Sequence, residues 1–318
     1  MSSLLERIGL GVLALAAIGR LAHAQPTNAD AKVYLFSTFI EGDQDGLRFA
    51  FSHDGYHWSN VPGLLLKAHA GGKIMRDPSI CRGPDATWHL VWTCAWRGDN
   101  GFGYARSQDP VHWSEQNLIP VMAHEPTVCN VWAPELFYDE QDQQFIICWA
   151  STIPGRFPDY LEARTNNHRM YFTTTRDFKT SAPTRLFLDP DFSVIDCQIV
   201  KDADRHVLLL KDNTRPQRNL RVAFANSPLG PWQDISQPFT PKLTEGPTAL
   251  KIGDDWLVCY DAYGSKTYGA ARTRDFKTFT DVTKEMTFPE GLKHGTAFVA
   301  AKKDLDYLFK VGAQMVAN

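Results

Sequence analysis

Five polar residues, each at the entrance to a short apolar run, carry the chemistry this sequence offers. They are Asp77 in Arg76-Asp77-Pro78-Ser79-Ile80, Glu135 in Trp132-Ala133-Pro134-Glu135, Asp196 in Ser193-Val194-Ile195-Asp196, Glu245 in Glu245-Gly246-Pro247 and His294 in His294-Gly295-Thr296. They recur at intervals of 49 to 61 residues. If the five runs are strands around one axis, their heads meet in one pocket. Carboxylates gathered in that way repel one another and lose water, a state kept where a ligand or a reaction uses it. Several acids around one pocket suit cleavage of a glycosidic bond. One protonates the leaving oxygen and one activates water from the opposite side. A third raises the pKa of the acid by like-charge repulsion. Taken alone, Asp77-Pro78 is an ordinary turn and Glu245-Gly246-Pro247 an ordinary loop. Only the recurrence of all five heads points to a shared site.

The elements that must position these heads repeat with them. Each unit ends in a small-residue strand, a turn and an aromatic: Phe49 to Gly55 then Trp58, Gly103 to Asp109 then Trp113, Tyr171 to Asp177 then Phe178, Val222 to Ser227 then Trp232, and Gly269 to Asp275 then Phe276. Self-similarity of this kind marks an array of structural units, and the aromatic is placed to plug the gap between neighbours. The second unit predicts strands at Ser79–Arg82, Trp88–Cys94, Gly103–Ser107 and His112–Glu115. The third predicts Leu136–Tyr138, Phe145–Ala150 and Met170–Thr175, the fourth Cys197–Val200, Val207–Lys211 and Leu220–Ala225, and the fifth Thr248–Ile252, Trp256–Asp261 and Tyr268–Arg272. Val33–Thr38, Leu47–Ser52 and His57–Ser59 lack an inner strand, while His294–Ala301 and Tyr307–Val311 lack partners. The expected fold is therefore all-β, a five-bladed β-propeller whose ring is closed by strands from both termini, with no long amphipathic helix. Such radial repetition leaves few exposed edges. Two long segments, Arg97–Phe102 and Ser151–Asn167, are expected to shape the pocket.

Residues 1–24 have the form of an export signal: Arg7, an apolar run from Ile8 to Ile18, and Ala22-His23-Ala24 as the cleavage motif. That leaves 25–318 as one propeller domain and predicts a periplasmic or secreted protein with no membrane anchor after cleavage. The 318 residues carry a formal charge of −3, which gives no reason to expect nucleic acid as a partner. The expected partner is a carbohydrate, and the expected state a monomer. Aromatics reach 12% with nine Trp, most needed for β-core packing and a minority available to stack on sugar faces. Trp96, Trp149 and Tyr263 are candidates for that role, and Arg76 and Lys211 are candidates for contacts to hydroxyls. Six cysteines lie mostly inside apolar runs without C-x-x-C spacing, so buried thiols are expected rather than a zinc site.

The ordered set Arg76-Asp77-Pro78-Ser79-Ile80, Val131-Trp132-Ala133-Pro134-Glu135-Leu136-Phe137-Tyr138, Ser193-Val194-Ile195-Asp196, Glu245-Gly246-Pro247 and His294-Gly295-Thr296 resembles the family 43 glycoside hydrolases and their five-bladed relatives. The resemblance implies Asp77 as general base, Glu245 as general acid and Asp196 as the carboxylate that tunes and orients the acid. It implies inversion at the anomeric carbon, with acid and base ~6.5–9.5 Å apart. Glu135 departs from the pattern, since many relatives have aspartate there, and it is read as structural or substrate-contacting. His294 resembles a channel histidine beside which some relatives hold calcium; no cofactor is required. Release of arabinose, xylose or a related sugar from plant-type polysaccharide is the function implied. A non-catalytic sugar-binding propeller, a fructan-acting enzyme and a phosphorolytic enzyme on the same ring are the alternatives. A phosphorolytic enzyme would place several basic residues in the pocket.

Overall fold

The turn that ends each unit shows how local chemistry builds this molecule. In Thr175-Arg176-Asp177-Phe178 the Thr175 hydroxyl accepts the Phe178 N–H at 2.9 Å, and Asp177 Oδ1 accepts the N–H groups of Lys179 and Thr180. Thr273 and Asp275 repeat this arrangement with Phe276, Lys277 and Thr278. Asp54 and Asp109 do the same for the two N–H groups that follow. Short polar side chains capture backbone donors that no strand can satisfy. The aromatic is then set facing the neighbouring unit: the Phe178 ring stacks on Tyr104 at 4.3 Å and on His89 at 4.5 Å.

A computed structural model describes residues 31–157, 162 and 166–317; the proposed export segment lies outside these residues. The strands form five antiparallel sheets. Blade 2 contains Arg76–Arg82, Trp88–Thr93, Phe102–Ser107 and Asn117–Ile119. Blade 3 contains Trp132–Asp139, Gln144–Ser151, Arg169–Thr175 and Arg185–Leu188. Blade 4 contains Val194–Asp202, Arg205–Asp212 and Asn219–Ala225, with a bridge from Phe224 to Gln233 at its outer edge. Blade 5 contains Glu245–Ile252, Asp255–Ala262, Thr267–Thr273 and Thr280–Asp281. Blade 1 is shared between the termini: Ala297–Ala301 pairs with Lys32–Thr38, which pairs with Gly46–Ser52 and then Trp58–Asn60. The fold is the five-bladed propeller expected, and both ends of the chain close it.

The core lies between blades. One cluster joins Val91, Phe102 and Tyr104 of blade 2 to Leu136, Ile147 and Trp149 of blade 3. Another joins Ile146 and Cys148 of blade 3 to Val194, Leu208 and Leu210 of blade 4. Each blade therefore buries both faces against neighbours, which is why the second strands, such as Trp88–Thr93, are buried throughout and mostly apolar rather than alternating. Trp149 is fully buried in this packing, so the expected sugar contact there is corrected: it is a core residue.

Two strand expectations fail for local reasons. The fourth strand of blade 2 is Asn117–Ile119, not His112–Glu115, because Asp109 binds the His112 N–H and keeps that stretch in the turn. Tyr307–Val311 is not a strand but part of an α-helix, α1, over Lys302–Ala317. Leu305 and Leu308 recur at helical spacing and are buried, Asp304 accepts the Ala301 N–H at 3.2 Å, and Tyr307, Phe309 and Val311 pack on the core between blades 1 and 2. Gly312 lies against Pro62, where a Cβ would stand 2.0 Å from the carbonyl oxygen.

Candidate active site

Each inner strand of blades 2 to 5 breaks its register near its start: between Arg76 and Ser79, between Trp132 and Glu135, between Ile195 and Gln198, and between Glu245 and Thr248. The residue inside each break is left-handed: Asp77 at φ 52°, Ala133 at 48°, Asp196 at 56° and Gly246 at 57°. An extra residue in a strand bends it and redirects a side chain. Holding a non-glycine residue in this region costs on the order of 1 kcal/mol or more, a strain that clusters at functional sites. Gly246 has a second reason to be glycine, because a Cβ there would lie 2.5 Å from the His294 ring.

The breaks show that the five sequence heads do not occupy one level. Ala133, not Glu135, stands where Asp77 and Asp196 stand. Glu135 sits two residues further along its strand, level with Ser79, Gln198, Thr248 and Thr296. That layer is tied from blade to blade. Ser79 Oγ accepts the Leu136 N–H, Gln198 Oε1 the Ala249 N–H and Thr248 Oγ1 the Ala297 N–H, at 3.0, 2.7 and 2.9 Å. Glu135 receives the Gln198 amide at 3.1 Å and the Thr296 hydroxyl at 3.5 Å. Burial pushes its carboxyl up to about 7. It lies in the channel beneath the pocket and does not line it.

The pocket has a volume of about 380 Å³, within the ordinary range for a small ligand. Asp77, Asp196, Glu245, His294, Arg76 and Trp96 all line it, so sequence positions more than two hundred residues apart converge as expected. Blade 2 carries Asp77, while blades 4 and 5, the two that do not adjoin blade 2, carry Asp196 and Glu245. On the Asp77 side, Thr93 donates to Oδ2 at 2.8 Å and His294 Nδ1 lies 3.3 Å from Oδ1. Burial alone would raise the Asp77 pKa, but His294, Arg76 and Thr93 bring it down to about 2. Burial would lower His294, yet Asp77, Asp196 and Glu245 push it up to about 9. The imidazole is thus a cation at neutral pH.

Across the channel Lys211 Nζ lies 2.7 Å from Glu245 Oε2 and 3.9 Å from Asp196 Oδ2. Burial works to raise Glu245, but Lys211 overrides it and holds that carboxyl below its usual range. Asp196 is raised by its own burial and by the charges of Glu245 and Asp77, against His294 and Lys211. The two carboxylates are therefore driven apart in pKa by one shared ammonium, and in the ligand-free pocket the proton settles more readily on Asp196.

Aromatic walls complete the mouth. Arg76 lies over the rings of Trp96 and Phe39 at 4.3 and 4.7 Å and pairs with Glu41 at 2.8 Å. Trp96 remains 47% exposed and meets Trp132 edge-on. Trp132 also lines the pocket and stacks on His168. Tyr263 does not line it: its ring lies 5.2 Å from Lys211 Nζ, and its outer side borders a separate cavity near Lys293. Tyr263 opens the turn that follows the strand Asp255–Ala262, with the Lys266 N–H bonded back to its carbonyl.

The wall between blades 3 and 4 was foreseen only in part. The segment Ser151–Asn167, expected to shape the pocket, brings Glu162 and Asn166 to it, whereas Asn213, Arg215 and Arg218 escaped the sequence reading. Glu162 is buried, with Ser193 Oγ at 2.8 Å, Asn213 Nδ2 at 2.5 Å and His168 Nδ1 at 2.9 Å. Its burial is outweighed by these partners, which bring the carboxyl down to about 2. No periodic pattern surrounds Glu162. Thr93 and Lys211 did carry a signal: each is a polar residue near the end of an apolar second strand. Among the described residues no group of three or more His, Cys, Asp or Glu is placed to hold a metal ion.

The comparisons with known proteins agree with this fold. The model of a family described as "probable glycosyl hydrolase domain", related to family 43, matches residues 30–306. A search of curated protein sequences finds no match. Among solved structures, an endo-1,4-β-xylanase from Bacteroides thetaiotaomicron is similar, with a TM-score of 0.58 and 14% identity over 85% of this chain and 94% of that one. An α-L-arabinofuranosidase from Clostridium thermocellum has a TM-score of 0.57 and 14% identity over 83% and 93%. An exo-β-1,3-galactanase from Phanerochaete chrysosporium has a TM-score of 0.53 and 12% identity over 70% and 53%. At such identities these structures share the propeller fold, while the family match, spanning nearly all of the propeller, places the chain among the probable glycosyl hydrolases related to family 43.

Proposed function

We propose that this protein is an exported glycoside hydrolase that cleaves plant-type oligo- or polysaccharide with inversion of configuration. The observation that carries the reading is the opposition of Asp77, fixed as an anion by His294, to the Glu245–Asp196 pair across one pocket. Asp77 takes a proton from water as that water attacks the anomeric carbon. Glu245 gives its proton to the departing glycosidic oxygen, so the C–O bond to the leaving group breaks as the C–O bond to water forms. Asp196 keeps Glu245 oriented, and once it is ionised its charge favours the protonated form of Glu245. For Glu245 to act as an acid, the contact with Lys211 must loosen when substrate enters; a sugar hydroxyl offers Lys211 an alternative acceptor. Trp96 and Trp132 present faces for stacking on a sugar. Arabinose-, xylose- and galactose-containing chains are the first substrates to try, since similar folds carry enzymes named for them.

The protein is expected to work as a monomer without a cofactor, in the periplasm or outside the cell, once residues 1–24 are removed. The deciding experiment is incubation of the full chain with arabinan, xylan and galactan oligosaccharides, with the fresh product followed by proton NMR. The inverted anomer is expected. A retained anomer would exclude direct attack by water.

A further inference from the structure

The loop that joins the second and third strands of blade 4 brings two arginines, Arg215 and Arg218, to the pocket wall beside Glu162. Neither has an ion pair among the described residues, and the buried Nε of Arg218 has no hydrogen-bond partner. Among the described residues every carboxylate of the pocket already has a partner: Asp77 has His294, Glu245 and Asp196 share Lys211, and Glu162 has Ser193, Asn213 and His168. The neighbouring Arg221 is paired with Asp212 at 3.1 Å and Arg76 with Glu41. Among the described residues that line the pocket, the cations without an ion pair are Arg215 and Arg218. Arg218 is half-buried and holds a left-handed φ of 48°. Two guanidinium groups with unspent donors match the planar, two-oxygen face of a carboxylate, which arginine binds through paired hydrogen bonds.

From this we infer that the pocket accepts a sugar bearing a carboxylate, a uronate, whose charged group is received by Arg215 and Arg218 on the wall between blades 3 and 4. The inference rests on the pocket being a sugar site and deepens that reading. Inorganic phosphate is the competing anion. It fits less well, because a dianion would meet Glu162 and three further carboxylates in the same cavity, and because Asp77 already occupies the place of a base that activates water.

The test is calorimetric titration of the full chain carrying Glu245→Gln, to slow turnover. The ligands are a xylo-oligosaccharide with a glucuronate branch and the same oligosaccharide after carboxyl reduction. The acidic form should bind at least tenfold tighter, and that ratio should fall towards one when Arg215→Ala and Arg218→Ala are added. Equal binding of the two forms overturns the uronate subsite but leaves the sugar site intact. A preference that survives loss of both arginines also overturns it. If no sugar binds, acidic or neutral, the hydrolase reading falls and takes this one with it. Should the double variant fail to fold, the comparison of the two ligands and the single changes Arg215→Gln and Arg218→Gln still decide. A final arm adds inorganic phosphate to the unaltered protein with substrate. Formation of a glycosyl phosphate would reassign the arginines to phosphate and overturn the proposal.

Discussion

The two sides of the pocket treat a buried carboxylate in opposite ways. On blade 2, one carboxylate, Asp77, is served by a hydroxyl and a cationic imidazole, and it stays charged. Across the channel, two carboxylates compete for one ammonium, so Glu245 is lowered and Asp196 raised. The lesson is that burial does not by itself choose a protonation state. The ratio of acids to cations within about 4 Å does, because opposite charge at that range offsets desolvation. The first environment suits the proposed base; the second suits the proposed acid–modulator pair once the shared ammonium has left the acid.

Removing a functional group on either side should have the largest effect. Asp77→Asn is expected to lower kcat by roughly 10²–10⁴, the usual contribution of a general base, with folded structure retained by circular dichroism. Glu245→Gln should lower it similarly for oligosaccharides, but much less for nitrophenyl glycosides, whose leaving group needs no proton. Equal losses with both kinds of leaving group would abolish the distinction between the two walls.

The shared ammonium gives a finer test. Lys211→Met removes the cation that lowers Glu245, so its pKa should rise. The alkaline limb of kcat/KM, which reports loss of the acid's proton in the free enzyme, should then move to higher pH. An unmoved limb would mean that Lys211 does not tune the acid.

The smallest effect is on stability. His294 is raised from 6.5 to about 9 in the folded chain. Its contribution is present in full below pH 6.5 and is lost as pH rises through about 9, on the order of 3 kcal/mol for such a shift. Urea unfolding at pH 6 and pH 9 should show that loss in the natural chain and a flatter profile in His294→Gln. The same dependence in both would remove the imidazole from the Asp77 wall.

Much of this was legible in the sequence because propeller blades are local units. The Thr-x-Asp-aromatic turn, the apolar second strands and the Asp or Pro at inner-strand starts each depend on a few neighbouring residues. The closing of blade 1 could be read from unpaired strands at both ends. Helix α1 was missed because its apolar residues, Tyr307 to Val311, also read as a short strand; only packing on blades 1 and 2 selects the helix. Trp149 and Trp96 look alike in sequence, yet one faces a neighbouring blade and the other the pocket mouth.

By itself the sequence determined that five similar sheets would close a ring and that acidic side chains would gather at its axis, since both follow from short-range patterns repeated along the chain. Tertiary structure alone decided the level at which each head sits. A one-residue break in each inner strand lifts Asp77 and Asp196 into the pocket and leaves Glu135 beneath it. It also decided which cation faces which carboxylate. Those charges act through space between blades, where no spacing in the chain records the distance.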